Sequence, residues 1–325
     1  MKLLVALVAV TSSPAFVASV EPPQDPLQGA IFFTSLGTKE LVRLDCNKQG
    51  CTGPHTVATG METYGGLLPW KGHLLAALKS HQLVQLDPWC QNSSCPVTAL
   101  VDVDHVLGGE HGSYDLGGVS LCQDSLFIVF GGQKGATGVL RCTGCSPGQD
   151  CTSGCSLVDG GNEPGKGSQQ LSAFAAGITC VDDNVLVTDN SNSRVQAIPA
   201  GCVRAPCDVK TFATGVKWPL GIAAVNGGRR VLVTLDEGIV SFLPNGTSQR
   251  DWSSRGDMGF LCEGGGRILA ASGGDGNVVS FDPACEGPNC TATLVWNSSG
   301  STARAASAIA YVPAQPHDGP SSFIV

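Results

Sequence analysis

Residues 176–199 set the pattern for the chain. Residues 177–181, Gly-Ile-Thr-Cys-Val, are apolar. Asp182, Asp183 and Asn184 form a polar break, with side chains that bond their own backbone and tolerate φ > 0. Residues 185–188 are apolar and β-branched, 189–193 form a second polar break, and 194–198 alternate polar and apolar with period two. The pattern predicts three short strands in a meander. Such a meander cannot bury both faces alone, so copies of it must stack.

The copies are present. Residues 30–33, 41–44 and 55–58 make a first unit that lacks its first strand. Residues 66–69, 73–77, 82–86 and 97–101 make a complete second unit, and 118–122, 126–130, 138–141 and 156–158 a third. The fourth is the opening stretch extended by 209–213. The fifth comprises 221–225, 230–234 and 239–242, followed by a tight turn at Pro244, Asn245 and Gly246. The sixth comprises 259–262, 267–271, 278–281 and 292–296. A lone apolar run at 306–312 is the strand that the first unit lacks. A unit of ~40–60 residues suits a propeller blade with variable loops. The prediction is all-β: a six-bladed β-propeller of four-stranded blades, with the C-terminal strand completing the first blade. Closing the ring leaves no long exposed sheet edge. The chain then divides into a signal peptide at 1–19, a lead-in at 20–29, the propeller at 30–312 and a C-terminal tail at 313–325.

Composition adds the compartment. The 325 residues include 43 glycines and 19 prolines, and only 14% are charged, as in a turn-rich β protein. The formal net charge of −8 lacks the basic face that nucleic acid requires. Lys2, the apolar run 3–10 and the small residues Val17, Ala18 and Ser19 read as a secretory signal. No later apolar run approaches the ~20 residues of a membrane span. The expected localisation is secreted or secretory-pathway lumen. Four glycosylation sequons start at Asn92, Asn245, Asn289 and Asn297.

Fifteen cysteines in such a compartment mean disulfides. Cys46 and Cys51, Cys90 and Cys95, Cys202 and Cys207, and Cys285 and Cys290 share one spacing, between the third and fourth strands of their units. Each pair is expected to staple its own blade. In the third unit, Cys142 with Cys155 and Cys145 with Cys151 are expected to nest. Cys122, Cys180 and Cys262 are read as one repeating position near the end of the first strand of three blades. They are expected to be small apolar residues between blades rather than a thiolate metal site. The odd total leaves at least one thiol unpaired.

The opening stretch resembles the NHL repeat through Gly177, Ile178, Val181, Asp182, Val187, Thr188, Asp189, Asn190, Asn192, Ser193, Arg194 and Val195. The other units match it more loosely, which places the chain with the wider six-bladed NHL and gluconolactonase-like propellers. A Kelch reading rests on the double glycine at the end of 126–132 and is not repeated in other blades. The resemblance implies ligand binding on the face of the blade-joining loops. That face has a polar loop with Asp104, His105, Glu110 and His111. Asp115 and Asp257 precede first strands, and Asp189 and Asn190 follow a second strand, so these four are the candidate metal ligands. A ring of oxygens there would suit Ca²⁺ or another divalent metal. Gluconolactonase-like members hold a central metal with a glutamate, an asparagine and an aspartate. The early Glu-Gly-Pro motif for the glutamate is missing here, leaving Asn190 and Asp257 for the others. The six-bladed amidating lyases use one histidine from each of three blades, whereas His73, His81, His105 and His111 cluster in one blade and its exit loop. The expected function is a binding module for a protein, glycan or small-molecule ligand. The competing expectation is a metal-dependent hydrolase or lyase.

Overall fold

The apolar runs are strands and the polar breaks are turns, and the reason lies in the turn chemistry. Asp182 and Ser193 occupy the left-handed region at φ 51°, where polar side chains that bond locally are tolerated and apolar β-branched ones are not. The computed structural model describes residues 27–314 except 36, 92–94, 110–111, 133–134, 162–163, 168, 248–249, 254–255, 257, 273–275, 286, 288–289 and 299–305. The predicted signal peptide and most of the tail lie outside the described residues.

Six antiparallel four-stranded sheets form the blades. Blade 1 contains β1 (Gly29–Ser35), β2 (Glu40–Asn47) and β3 (Gly50–Thr59). Blade 2 contains β4 (Leu67–Trp70), β5 (His73–Ala77), β6 (Gln82–Leu86) and β7 (Thr98–Asp102). A short helix, α1 (Val103–Leu107), leads to blade 3. Blade 3 contains β8 (Asp115–Cys122), β9 (Ser125–Gly131), β10 (Thr137–Cys142) and β11 (Cys155–Gly161). Blade 4 contains β12 (Ala175–Val181), β13 (Asn184–Asp189), β14 (Arg194–Pro199) and β15 (Lys210–Thr214). Blade 5 contains β16 (Ile222–Val225), β17 (Arg230–Leu235), β18 (Gly238–Phe242) and β19 (Arg250–Ser253). Its fourth strand, β19, has no counterpart in the sequence reading. Blade 6 contains β20 (Met258–Gly264), β21 (Arg267–Ser272), β22 (Val278–Phe281) and β23 (Thr293–Trp296). The last strand, β24 (Ala306–Pro313), pairs antiparallel with β1 and supplies the inner strand of blade 1. The ring closes as the arithmetic of strands predicted.

Both faces of each blade are covered, so the core consists of the seams between neighbours. Leu75, Leu116 and Phe130 fill the seam of blades 2 and 3. Val185, Val187 and Ile198 pack on Phe127 and Val129 in the seam of blades 3 and 4, and Trp252 meets Phe281 between blades 5 and 6 at 5.0 Å. Near the axis, contact is backbone to backbone. A Cβ on Gly66 or Gly117 would stand 2.6 Å from a carbonyl oxygen of the next blade. Thr188 Oγ1 accepts from Gly177 N at 2.7 Å and donates to the Leu220 carbonyl of blade 5 at 2.7 Å. Thr234 repeats this, with Gly221 N and the Gly259 carbonyl of blade 6.

Disulfides join Cys46–Cys51, Cys90–Cys95, Cys142–Cys155, Cys145–Cys151, Cys202–Cys207 and Cys285–Cys290. A seventh, Cys122–Cys180, ties β8 to β12 across two blades. This corrects the reading of Cys122, Cys180 and Cys262 as one repeating position. Counted back from the turns at Gln123 and Asp182, Cys122 aligns with Val181, one residue beyond Cys180. Successive strand residues point to opposite faces, so Cys122 and Cys180 face each other across the seam, with Cα atoms 5.3 Å apart. Cys262 is free; burial pushes its thiol up to about 12, which keeps it protonated and unreactive.

The inter-blade bridge closes a loop of sequence separation 58, against 5 for Cys46–Cys51. Loop-closure entropy then assigns about 4 kcal/mol to the first and about 2 kcal/mol to the second. Replacing Cys122 and Cys180 together by Ala should therefore lower the denaturation midpoint about twice as far as replacing Cys46 and Cys51. Equal losses in a denaturant titration would contradict that assignment.

Candidate functional site

The inner strands begin at one face of the ring, and small residues at their starts leave a mouth there. Asp115, Leu116 and Gly117 of β8, Ala175 and Ala176 of β12, Gly131, Ala173, Phe174, Leu220, Tyr64 and Phe260 enclose a cavity of about 260 Å³. Phe260, on β20, also lines a second cavity of about 200 Å³ with Ser120, Thr179, Cys262 and Glu263. Its ring is therefore the floor of the mouth and the roof of the lower channel. Gly65 makes this possible, since any Cβ there would enter the Phe260 ring. Three aromatic side chains on this face stay open to solvent: Tyr64 at 40%, Phe174 at 47% and Trp218 at 46%.

Charged groups sit to one side. Glu62 receives Lys39 and Lys79, each at 2.8 Å, and the hydrogen bonds from these lysines hold its carboxyl down at about 2. Lys79 Nζ also lies 4.0 Å from the centre of the Tyr64 ring. The half-buried Asp115 is the carboxylate in the mouth wall. Burial pushes its pKa up, against the nearby charges of Lys79 and His81, and Glu62 adds to the rise.

The polar loop after blade 2 is partly a helix. Asp102 caps α1 by accepting from His105 N at 3.1 Å. Asp104 accepts from Tyr114 Oη at 2.5 Å and pairs with His81 Nδ1 at 3.0 Å. His81 Nε2 donates to the Tyr114 carbonyl at 2.8 Å, and the two rings stack at 3.9 Å. Asp104 thus fastens this loop to blade 2, while His105 is exposed. Glu110 and His111 lie outside the described residues, as do Asp257, Asn92 and Asn289.

Asp189 and Asn190 are placed differently from the expectation of ligands at the mouth. Asp189 is fully buried. Its carboxylate accepts from Ser172 N at 2.7 Å, Asn192 Nδ2 at 2.9 Å and Arg194 Nε at 2.7 Å. Arg194 in turn donates to the carbonyls of Gly167 and Gln170. Asn190 Nδ2 donates to the Pro219 carbonyl at 3.1 Å. The most NHL-like residues therefore hold the loops between blades rather than offering oxygens to an ion. Among the described residues no three His, Cys, Asp or Glu side chains approach closely enough to hold a metal. Of the four candidate ligands Asp115, Asp189, Asn190 and Asp257, the Asp189 carboxylate and the Asn190 amide are engaged by neighbouring loops, Asp115 stands in the mouth wall, and Asp257 lies outside the described residues.

Tyr64, Leu220 and Phe260 are mouth residues that the sequence reading did not single out. The available signal was size: Phe260 follows the anchor glycine of its inner strand, where the other blades carry aliphatic residues. Asn245 is exposed in the turn of blade 5, on the opposite face. There Thr247 Oγ1 donates to Asn245 Oδ1 at 2.7 Å. Asn297 is likewise exposed, just after β23.

No protein-family model matches the sequence, and no curated protein matches it. Solved structures do, at the level of fold. A crystal structure of a nidogen/laminin complex superposes with a TM-score of 0.62 at 10% identity, covering 88% of this chain and 99% of that one. Regucalcin from Agrobacterium tumefaciens, described as a calcium-binding protein, gives 0.53 at 13% identity, covering 76% and 81%. The PQQ-bound aldose sugar dehydrogenase of Streptomyces coelicolor gives 0.52 at 13%, covering 75% and 84%. The expected resemblance to six-bladed NHL-type and gluconolactonase-like propellers holds as a likeness of fold.

Beneath the face, at the seam of blades 3 and 4, Asp159 is 2% exposed. It accepts from Gly160 N at 2.8 Å, and its Oδ2 has no partner among the described residues. Burial pushes its pKa up to about 6, and repulsion from Asp189 adds to the rise. The unfolded carboxyl titrates near 3.8. Between those values the folded chain keeps a proton that the unfolded chain has lost, so this group's contribution to stability falls as pH rises through that window. Asp159→Asn should be neutral towards stability below about pH 4 and more stable than the parent from about pH 6 upward, by at most roughly 3 kcal/mol. Denaturation curves of the two proteins from pH 4 to 8 check this; a difference that does not change with pH would refute it.

Proposed function

We propose that this chain is a secreted interaction module that binds a protein partner through the mouth and its aromatic rim. The observation that carries the reading is Trp218. It is exposed and held at φ 50°, a conformation costing a bulky residue about 1–2 kcal/mol. A large apolar side chain kept on the surface in a costly conformation does not serve folding; strain of this kind marks a binding surface. Tyr64, Phe174 and Leu220 extend the patch into the mouth.

The arrangement of the rest supports this. The disulfides within blades lie at the hairpins between third and fourth strands, on the other face. The Asn245 sequon lies there too, with Asn245 exposed and its Oδ1 accepting from Thr247 Oγ1. Residues 1–19 act as the signal that delivers the chain to an oxidising compartment, and the disulfides fit that destination. No helix among the described residues is long and apolar enough to cross a membrane. The nidogen/laminin neighbour is a complex of two proteins, which supports a protein partner over a small molecule. A metal-dependent hydrolase or lyase has less support, because Asp115 reaches the mouth without a second described carboxylate or imidazole in its lining.

A photo-crosslinking residue at position 174 should capture extracellular proteins, and one at the exposed Val203 on the opposite face should not. Trp218→Asn should abolish the capture at 174. It should also leave the melting temperature unchanged or raise it, since Asn tolerates the left-handed region. Capture that is equal at both positions, or that survives the substitution, would rule out this face. Treatment of the secreted protein with an N-glycosidase should reduce its mass, and Asn245→Gln should remove one glycan from it.

A further inference from the structure

The mouth also has a charge that apolar docking does not explain. Asp115 lines it, yet its carboxylate accepts no hydrogen bond from a described residue. The neighbouring cations are committed elsewhere. Lys79 is on Glu62 at 2.8 Å and against Tyr64, Lys39 is on Glu62 at 2.8 Å, and His81 is on Asp104 at 3.0 Å. Two nearby buried or paired carboxylates are saturated: Asp189 by backbone, amide and guanidinium donors, and Glu62 by two ammonium groups. A half-buried carboxylate without protein donors is partly desolvated, and a ligand that brings a cation offsets that cost.

Three features narrow the cation. The cavity of about 260 Å³ lies below the ~300–1,000 Å³ of sites that enclose a whole small molecule, so it suits one inserted side chain. Its walls are mostly aliphatic and aromatic, which favours an alkyl stem under the charge. A guanidinium brings five donors and an ammonium three, and the described lining offers a single carboxylate. The Tyr64 and Phe174 rings can add attraction for a cation over their faces.

We propose that the mouth is a receptor for the alkylammonium end of a lysine side chain on the protein partner, with Asp115 as its counter-ion. This rests on the protein-binding reading above and deepens it.

The probe is Nα-acetyl-lysine methylamide, titrated into the intact, isotope-labelled chain while the amide signals of Gly117 and Ala176 are followed. The norleucine analogue has nearly the same stem and no charge. The Nε-acetylated lysine analogue keeps the stem and loses the charge. The lysine probe is expected to bind at least tenfold more tightly than either. Asp115→Asn, with a melting temperature like the parent's, should erase that preference. Equal binding of the lysine and norleucine probes overturns the cation reading and leaves apolar docking standing. No shift with any probe, together with no capture at position 174, overturns the docking reading itself. Preference for lysine that persists in Asp115→Asn, or calcium chloride alone reproducing the same shifts, also overturns the proposal. The acetylated probe needs no substitution, so the comparison holds even if Asp115→Asn folds poorly.

Discussion

Close approach of inner strands at the axis is the constraint on which the rest of the structure depends. Six sheets can meet there only where side chains are absent or very small. The chain answers with glycine at Gly66, Gly117, Gly177 and Gly221, whose added Cβ atoms would collide with carbonyl oxygens of the next blade. Once backbones are that close, the inner carbonyls are shielded from water and need donors. Thr188 and Thr234 supply them, reaching across the seam while accepting from their own blade. The seams outside this ring can then be filled by ordinary aliphatic and aromatic packing.

The mouth follows from the same constraint. Glycine and alanine at the tops of the inner strands leave space that larger residues would have closed. Phe260 is the exception, and its ring divides the channel because Gly65 yields to it. The cavity is therefore a shallow bowl with an aromatic floor and rim rather than an open pore. Glu62, Lys39, Lys79, His81 and Asp104 beside it pair with one another, and Asp115 is the carboxylate among the described residues that line the bowl.

The two faces have divided labour. Hairpins between third and fourth strands carry the short disulfides, and the Cys122–Cys180 bridge stands at the same end of the inner strands. The blade-joining face is held instead by side-chain hydrogen bonds, among them those of Asp189, Arg194 and Asp104. Covalent staples on one side leave the loops on the other free to vary around a fixed ring, which is where recognition belongs.

The period of apolar runs and polar turns was enough to determine the six blades, the strand that closes the first, and the pairing of cysteines within hairpins. These depend on local alternation, turn chemistry and short spacing, all of which are written along the chain. It could not determine the partner of Cys122, because a one-residue offset between two strands far apart in sequence decides which face each thiol takes. It placed Asp189 and Asn190 near a ligand from their polarity and their position at the end of a second strand, and only packing showed the Asp189 oxygens and the Asn190 amide nitrogen spent on neighbouring loops. It passed over Tyr64, Leu220 and Phe260, which become a site when residues from separate blades converge on one axis. That Asp115 lines the mouth, with no described residue donating a hydrogen bond to its carboxylate, is likewise a property of that convergence.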